Sequence, residues 1–318
     1  MYQLEFEKPV NELKDKIHKL KEAFKKDATL KEQVDVLNKE LIALKKQIYS
    51  NLSAWQKVQM ARHPLRPHTL DYIDALTKDF MELHGDRISG EDKAIVGGFA
   101  LLEKQTVMVI GHQKGRTIKE NQFRNFGMPN PEGYRKSLRL MKLAEKFNKA
   151  VITLIDTPGA STGLHAEQAG QAEAIGANLQ HMMKLKVPVI ALIIGEASSG
   201  GALALAVADR LLMLENSWFS VVSPEACSSV LWKSTDFKEE AATQMRLTAN
   251  DLLKDGIIDD IIHEPQCGAH NDPIATYRNV KKALIKHLDE LKQIPPDVRI
   301  RNRVKRFSEI GIPTISTE

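Results

Sequence analysis

Leu37, Leu41, Leu44, Ile48, Leu52 and Trp55 recur at spacings of four, three, four, four and three residues, the period of an amphipathic helix. An earlier set, Leu13, Ile17, Leu20 and Phe24, gives a second helix, and the polar KKDATLKE between them reads as a turn. The first sixty residues, rich in Lys and Glu and free of glycine, therefore predict a helical hairpin. The heptads are too few for a free-standing coiled coil, so the arm packs on its own domain or on a partner. His63-Pro-Leu-Arg-Pro67 then breaks the helix twice and marks where a globular domain begins.

From about Ile95 the pattern changes. Short apolar runs at 107–110, 151–155, 187–194 and 211–214 alternate with helical periods at Leu140, Leu143 and Phe147 and at Ala172, Ile175, Leu179 and Met182. Strands alternating with helices mean βαβ units and a layered α/β domain. Residues 252–262, then Val280, Leu284, Leu288 and Leu291, predict closing helices before Pro295-Pro296. The basic RIRNRVKRF at 299–307 reads as an exposed terminal segment. The chain thus divides into an arm (1–60), a main domain (61–295) and a basic tail (296–318).

Composition narrows the class. A chain of 318 residues, 42% hydrophobic and 27% charged, can build a full core, which excludes wholesale disorder. The longest apolar run, 187–194, covers about half a membrane span and contains Pro188, so no segment is predicted to cross a bilayer. With 45 Lys+Arg against 41 Asp+Glu the charge is +4, too slight to point to nucleic acid, and no aromatics interleave the basic tail. Cys227 and Cys267 are too few for a disulfide scaffold. The opening MYQLEFEKPV has no basic-then-apolar signal, so a cytoplasmic location is expected.

The most informative segment is Gly195-Glu-Ala-Ser-Ser-Gly-Gly201, because it follows a buried strand and opens an Ala/Leu-rich helix. Main-chain N–H groups at such a junction have no intrahelical partner and suit an oxygen that gains negative charge. The glycines at 200 and 201 let that oxygen approach without a Cβ in the way, or else let the helix pack close to the sheet. A phosphate loop is excluded, since Gly201-Ala202 replaces its Lys and hydroxyl. A nucleophile elbow on Ser198 has Glu196 where its first glycine belongs. Asp156-Thr-Pro-Gly-Ala160 also ends a strand, where α/β folds collect ligands. Gly111-His-Gln-Lys-Gly-Arg116 offers either two cations to an anionic group or a solvated loop. His112, His165 and His270 are acid–base candidates, and none has metal-ligand spacing, so no metal is expected.

Longer stretches carry a resemblance. Leu83-His-Gly-Asp-Arg87, Asp92-Lys-Ala-Ile-Val-Gly-Gly98, Gly111-His-Gln-Lys-Gly-Arg116, Pro131-Glu-Gly-Tyr-Arg-Lys136, Asp156-Thr-Pro-Gly-Ala160, Ser199-Gly-Gly-Ala-Leu203 and Gly256-Ile-Ile-Asp-Asp260 are similar to the carboxyltransferase alpha-subunit family of bacterial acetyl-coenzyme A carboxylase. The resemblance runs over nearly the whole chain. It implies a crotonase-like (ClpP/crotonase) α/β fold of repeated ββα units with an N-terminal helical hairpin. It implies carboxyl transfer from carboxybiotin, tethered to a biotin carboxyl carrier protein, to acetyl-CoA, giving malonyl-CoA for fatty-acid synthesis. It implies a beta-subunit partner in an α2β2 assembly with a zinc ribbon that this chain lacks, and ATP use at a separate biotin carboxylase. Onto this sequence it carries Gly200 and Gly201 as the N–H pair for the biotin ureido oxygen, with Arg135, Gly159 and Ala160 as substrate-binding candidates.

The sequence departs from the family pattern at named places. Ala197 and Ser198 stand where glycines are usual, Ser161-Thr162-Gly163 where Tyr-Pro-Gly is usual, and Cys267 where Gly precedes Gly-Ala-His. Two alternatives accompany the leading reading: a noncatalytic regulatory paralogue that binds the beta subunit, and a crotonase-fold hydrolase using Ser198 or Ser199.

Overall fold

Strand β5 (Val189–Ser198) shows why the apolar runs become strands buried on both sides. Val189, Ala191 and Ile193 point to one hydrophobic cluster, while Ile190, Leu192 and Ile194 point to the other. That alternation demands cover on both faces, which helices supply. The computed structural model describes residues 4–24 and 31–311. Residues 25–30 of the predicted turn, the side chain of Phe24 and residues 312–318 lie outside the described residues, while Lys31 and Glu32, expected in the turn, begin the second helix.

The arm forms α1 (Lys8–Phe24) and α2 (Lys31–Tyr49), which pack on each other. Val10 and Ile17 are buried on α1, and Leu37, Leu41, Leu44 and Ile48 are half-buried on α2. Trp55 does not continue α2. Ser53 opens a new helix, α3 (Ala54–Ala61), by accepting a hydrogen bond from Gln56 N while the Gln56 side chain accepts from Ser53 N. This capping box satisfies two otherwise orphaned donors, so the apolar period runs on across a break in the helix. Trp55 then packs beside Val58 and Trp218.

After α4 (Thr69–Leu76) comes the sheet, with β1 (Lys78–Glu82), β2 (Ile95–Leu102), β3 (Gln105–His112) and β4 (Ala150–Thr157) before β5. It continues with β6 (Arg210–Leu214), β7 (Trp218–Ser220) and β8 (Asp260–Ile262). The order is β1-β2-β3-β4-β5-β6-β8, with β7 paired to the end of β5. The first three strands are antiparallel and the rest parallel.

Between the strands lie α5 (Ile118–Phe123), α6 (Pro131–Lys146), α7 (Leu164–Gln168), α8 (Gln171–Lys184) and α9 (Ser199–Leu203). Then follow α10 (Pro224–Trp232), α11 (Lys238–Gln244), α12 (Ala249–Lys254), α13 (Pro273–Lys292) and α14 (Pro296–Glu309). Leu140, Met141 and Met182 from α6 and α8 cover one face of the sheet. Tyr72, Ile73, Leu284 and Leu288 from α4 and α13 cover the other.

Two expectations are corrected here. Residues 252–262 are not one helix: α12 ends at Lys254, Gly256 turns the chain at φ +70°, and β8 joins β6. Only glycine adopts that φ without strain, so the apolar run passes from helix to strand. The basic tail is not an exposed segment either. It forms α14, with Arg299 and Arg303 buried, because Arg303 pairs with buried Asp209 through Nε (3.0 Å) and Nη2 (2.7 Å).

Candidate active site at the ends of β4 and β5

The two loops singled out in the sequence meet in space. Strands β4 and β5 are parallel neighbours, so Asp156–Ala160 and Gly195–Gly201 leave the same end of the sheet. Gly201 packs on the other loop so closely that a Cβ would overlap Ala160 N and lie 2.7 Å from Gly159 C. At Gly200 a Cβ would meet only Ile175, at 3.8 Å. The adjacent glycines therefore differ: Gly201 is required by packing, whereas Gly200 keeps open space beside the main chain. Among the described residues, the N–H groups of Gly200, Gly201 and Ala160 donate to no partner in the chain. Gly159 has φ +145°, a glycine conformation, and the Thr157 hydroxyl accepts from its N–H and donates to its carbonyl.

The departures at Ala197 and Ser198 are absorbed by the strand. Ser198 is extended (φ −120°, ψ 134°), and Ala197 pairs with Thr157 and Phe219, so neither position needs a glycine. The sharp turn falls one residue later, at Ser199, with φ +58°. From Ser199 and Gly200 an apolar groove of about 450 Å³ runs past Leu203, Phe219, Phe307 and Ile310. Ser198 is buried, Ser199 is exposed, and neither hydroxyl is hydrogen-bonded to a histidine among the described residues. At Cys267, by contrast, the backbone does take a glycine conformation, φ +72°.

Beneath the loops lies a charged cluster. Lys114 Nζ donates to Asp156 Oδ1 (2.7 Å) and Glu196 Oε1 (2.8 Å). Asp156 Oδ1 also accepts from Glu196 N (3.0 Å), and its Oδ2 lies 3.2 Å from His68 Nδ1. A Cβ at Gly195 would run into this carboxylate, so the glycine makes room for it. Burial favours the neutral form of Asp156, yet Lys114 and His68 together hold the carboxyl well below the usual carboxylate range. Lys114 is pushed up by the same carboxylates against the opposing effect of burial. Arg62 joins the cluster from the end of α3, donating from Nε to Glu196 Oε2 (2.5 Å) and from its terminal nitrogens to Glu225.

Several sequence candidates take other places. Lys114 and Arg116 do not face an open anion site: Lys114 is held as above, and Arg116 pairs with Asp71 at 2.6 Å. Arg135 is a clamp, donating to Asp86 Oδ2, Ala169 O, Ser89 Oγ and Glu132 Oε1 at 2.9–3.1 Å, because three segments converge on it. His165 is exposed on α7, and His270 stacks on His63 with ring centroids 3.7 Å apart. His112 is wholly buried, faces the carbonyls of Gly201 and Leu154 without hydrogen-bond geometry to either, and is pushed down to about 4, chiefly by burial. Arg62, His68 and Glu196 escaped sequence reasoning. Arg62 lies 134 residues from Glu196 and 163 from Glu225, so no spacing could announce the link.

Among the described residues no group of three His, Cys, Asp or Glu side chains can hold a metal ion, and no helix is long and apolar enough to cross a membrane. A family model described as acetyl co-enzyme A carboxylase carboxyltransferase-like matches residues 3–311. The chain is 56% identical to the acetyl-coenzyme A carboxylase carboxyl transferase subunit alpha of Chlorobium luteolum, covering 97% of both chains. It is 50% identical to that of Thermus thermophilus, covering 97% of this chain and 98% of the relative. Among solved structures it is similar in fold to transcarboxylase 12S, with a TM-score of 0.57 at 20% identity, over 71% of this chain and 42% of that one. A Pseudomonas malonate decarboxylase hetero-tetramer in complex with coenzyme A also has a TM-score of 0.57, at 17% identity, over 69% and 89%.

Proposed function

The chain belongs to the acetyl-coenzyme A carboxylase carboxyltransferase family, and from that premise we propose that the meeting of its β4 and β5 loops is its half of the transfer site. The family reaction is biotin-dependent and the enzyme works as a complex of subunits. The observation that carries the reading is the pair of N–H groups at Gly200 and Gly201, unpaired in the chain and beside an apolar groove. Biotin, when bound, supplies the carboxyl group and afterwards a base for the acetyl methyl proton.

Everything else falls to the main chain. The Gly200 and Gly201 N–H groups donate to an oxygen that gains negative charge as the carboxyl group leaves, each donor being worth roughly 3–4 kcal/mol of barrier. Gly200 leaves space for that oxygen to approach, and Ala160 N–H, packed against Gly201, offers a third donor at the same edge. The apolar walls at Leu203, Phe219 and Phe307 suit a ring with a polar urea edge and keep water from the donors. This fit supports a reaction in which the protein stabilises charge and leaves proton transfer to the bound group.

The complementary donors for the thioester enolate belong, in this reading, to a beta subunit that also carries the zinc ribbon, in an α2β2 assembly. The carrier protein delivers biotin, acetyl-CoA accepts the carboxyl group, and ATP is used at a separate biotin carboxylase, all in the cytoplasm. The test is reconstitution with a zinc-ribbon beta subunit, following biotin-dependent decarboxylation of malonyl-CoA. Turnover is expected from the mixture only. An inactive confirmed complex removes the catalytic role, and turnover by the chain alone removes the shared site.

A further inference from the structure

The transfer site as described uses main-chain donors, and the side chains behind it call for their own explanation. Arg62 is the outer of the two cations in a continuous series, Glu225–Arg62–Glu196–Lys114–Asp156, that runs from the start of α10 to the ends of β5 and β4. Glu196 stands four residues before Gly200 and is held at three points: Oε1 by Lys114, Oε2 by Arg62, and its N–H by Asp156. The guanidinium also lies 6.0 Å from the Trp55 ring centroid and 5.6 Å from that of Trp218, within cation–π reach of two indoles. Burial opposes its charge, but Glu196 and Glu225 outweigh that and keep it a cation.

Ser199 explains why such an anchor is needed. A non-glycine residue at φ +58° is strained and persists only where its surroundings over-determine it. The chain enters that turn from Glu196, and the turn aims the N–H groups of Gly200 and Gly201. We propose that Arg62 is a positioning residue for carboxyl transfer, holding through Glu196 the turn that presents Gly200 and Gly201. The proposal rests on the functional reading above. It adds that α3 and α10, neither of which supplies a donor, set the geometry of the donors through one arginine fork. Lysine has a single nitrogen and does not reproduce the planar fork in which Nε meets Glu196 while the terminal nitrogens meet Glu225. None of the five charged residues of this series lines the groove at Leu203, Phe219 and Phe307.

The experiment is a double-mutant cycle in the reconstituted complex, read as kcat and KM for malonyl-CoA in the biotin-dependent reverse reaction. Arg62→Ala is expected to lower kcat by about tenfold or more while KM stays within about twofold, because alignment is lost and ground-state contacts are not. Arg62→Lys is expected to recover part of kcat, and because it keeps a cation among the carboxylates it serves where the alanine variant does not fold. In a Glu196→Gln background Arg62→Ala should add little further loss, whereas in a Glu225→Gln background nearly the full loss should remain. Equal losses in both backgrounds, or a change confined to KM, overturn the proposal while leaving the functional reading in place. Absence of turnover by the wild-type complex overturns both.

Discussion

Two of the regions where this molecule draws cations inward do so to different ends. In α14, Arg303 holds Asp209 with Nε and Nη2 and the carbonyls of Met182 and Leu185 with Nη1, while Arg299 holds the carbonyls of Leu291 and Lys186. All three Arg303 nitrogens are taken up by the chain, while Arg299 Nε is buried without a hydrogen-bond partner. At the ends of β4 and β5, Lys114 and Arg62 hold Asp156, Glu196 and Glu225, yet the N–H groups of Gly200, Gly201 and Ala160 beside them stay unpaired among the described residues. Buried polar groups in native proteins are nearly always satisfied. An arginine whose nitrogens are all answered, as Arg303's are, is a clamp, and a loop that leaves main-chain donors unanswered is, in the proposed function, where a ligand completes the structure.

The sharpest way to break the comparison is at the clamp. Arg303→Met leaves Asp209 buried without its partner and should cost about 3–5 kcal/mol of stability, read from the urea midpoint. An unmoved midpoint would show that α14 is not held by its arginines. Next come the two glycines. Gly200→Val should lower turnover of the complex by roughly two to three orders of magnitude with the urea midpoint nearly unchanged, since its Cβ meets only Ile175 at 3.8 Å. Gly201→Ala should instead lower stability, because the Cβ overlaps the backbone of Gly159 and Ala160. Reversed outcomes would reverse the roles assigned to the pair.

A pH series sharpens the comparison under the site. His112 titrates near pH 4 in the folded chain against an ordinary value of 6.5, so between those values the unfolded chain binds more protons. Stability from this group is fully present above about pH 6.5 and is lost as pH falls toward 4, up to about 3 kcal/mol. Urea midpoints at pH 7.5 and 4.5 should therefore differ less in His112→Phe than in the wild type. A parallel fall in both would assign the loss to other groups. The smallest effect is expected from Arg116→Gln, which removes an exposed pair with Asp71 and should cost less than about 1 kcal/mol.

Much of the fold was legible because local patterns report local demands. The continuous apolar run through 187–194 called for a buried strand, and the periods of the arm called for packed helices. The strands β1 and β2 were harder to read, since β1 is half-exposed and β2 carries Gly97 and Gly98 in its middle. The glycines proposed as donors were visible from their motif and the resemblance. The partners of Lys114, Arg135, Arg299 and Arg303 were not, since a basic residue reads the same in a sequence whether it meets water or a carboxylate brought from far along the chain.

The sequence by itself determined the family, the alternation of strands and helices, and the loops that carry Gly159, Ala160, Gly200 and Gly201. These follow from periodicity and from runs of residues whose order is the signal. Only the tertiary structure decided that Gly201 is held by Ala160 while Gly200 stays open, that Arg62 reaches Glu196, and that the basic tail folds inward as α14. The reason is physical: burial, close contact and ion pairing depend on distances between segments, and those distances exist only once the sheet has brought its strand ends together.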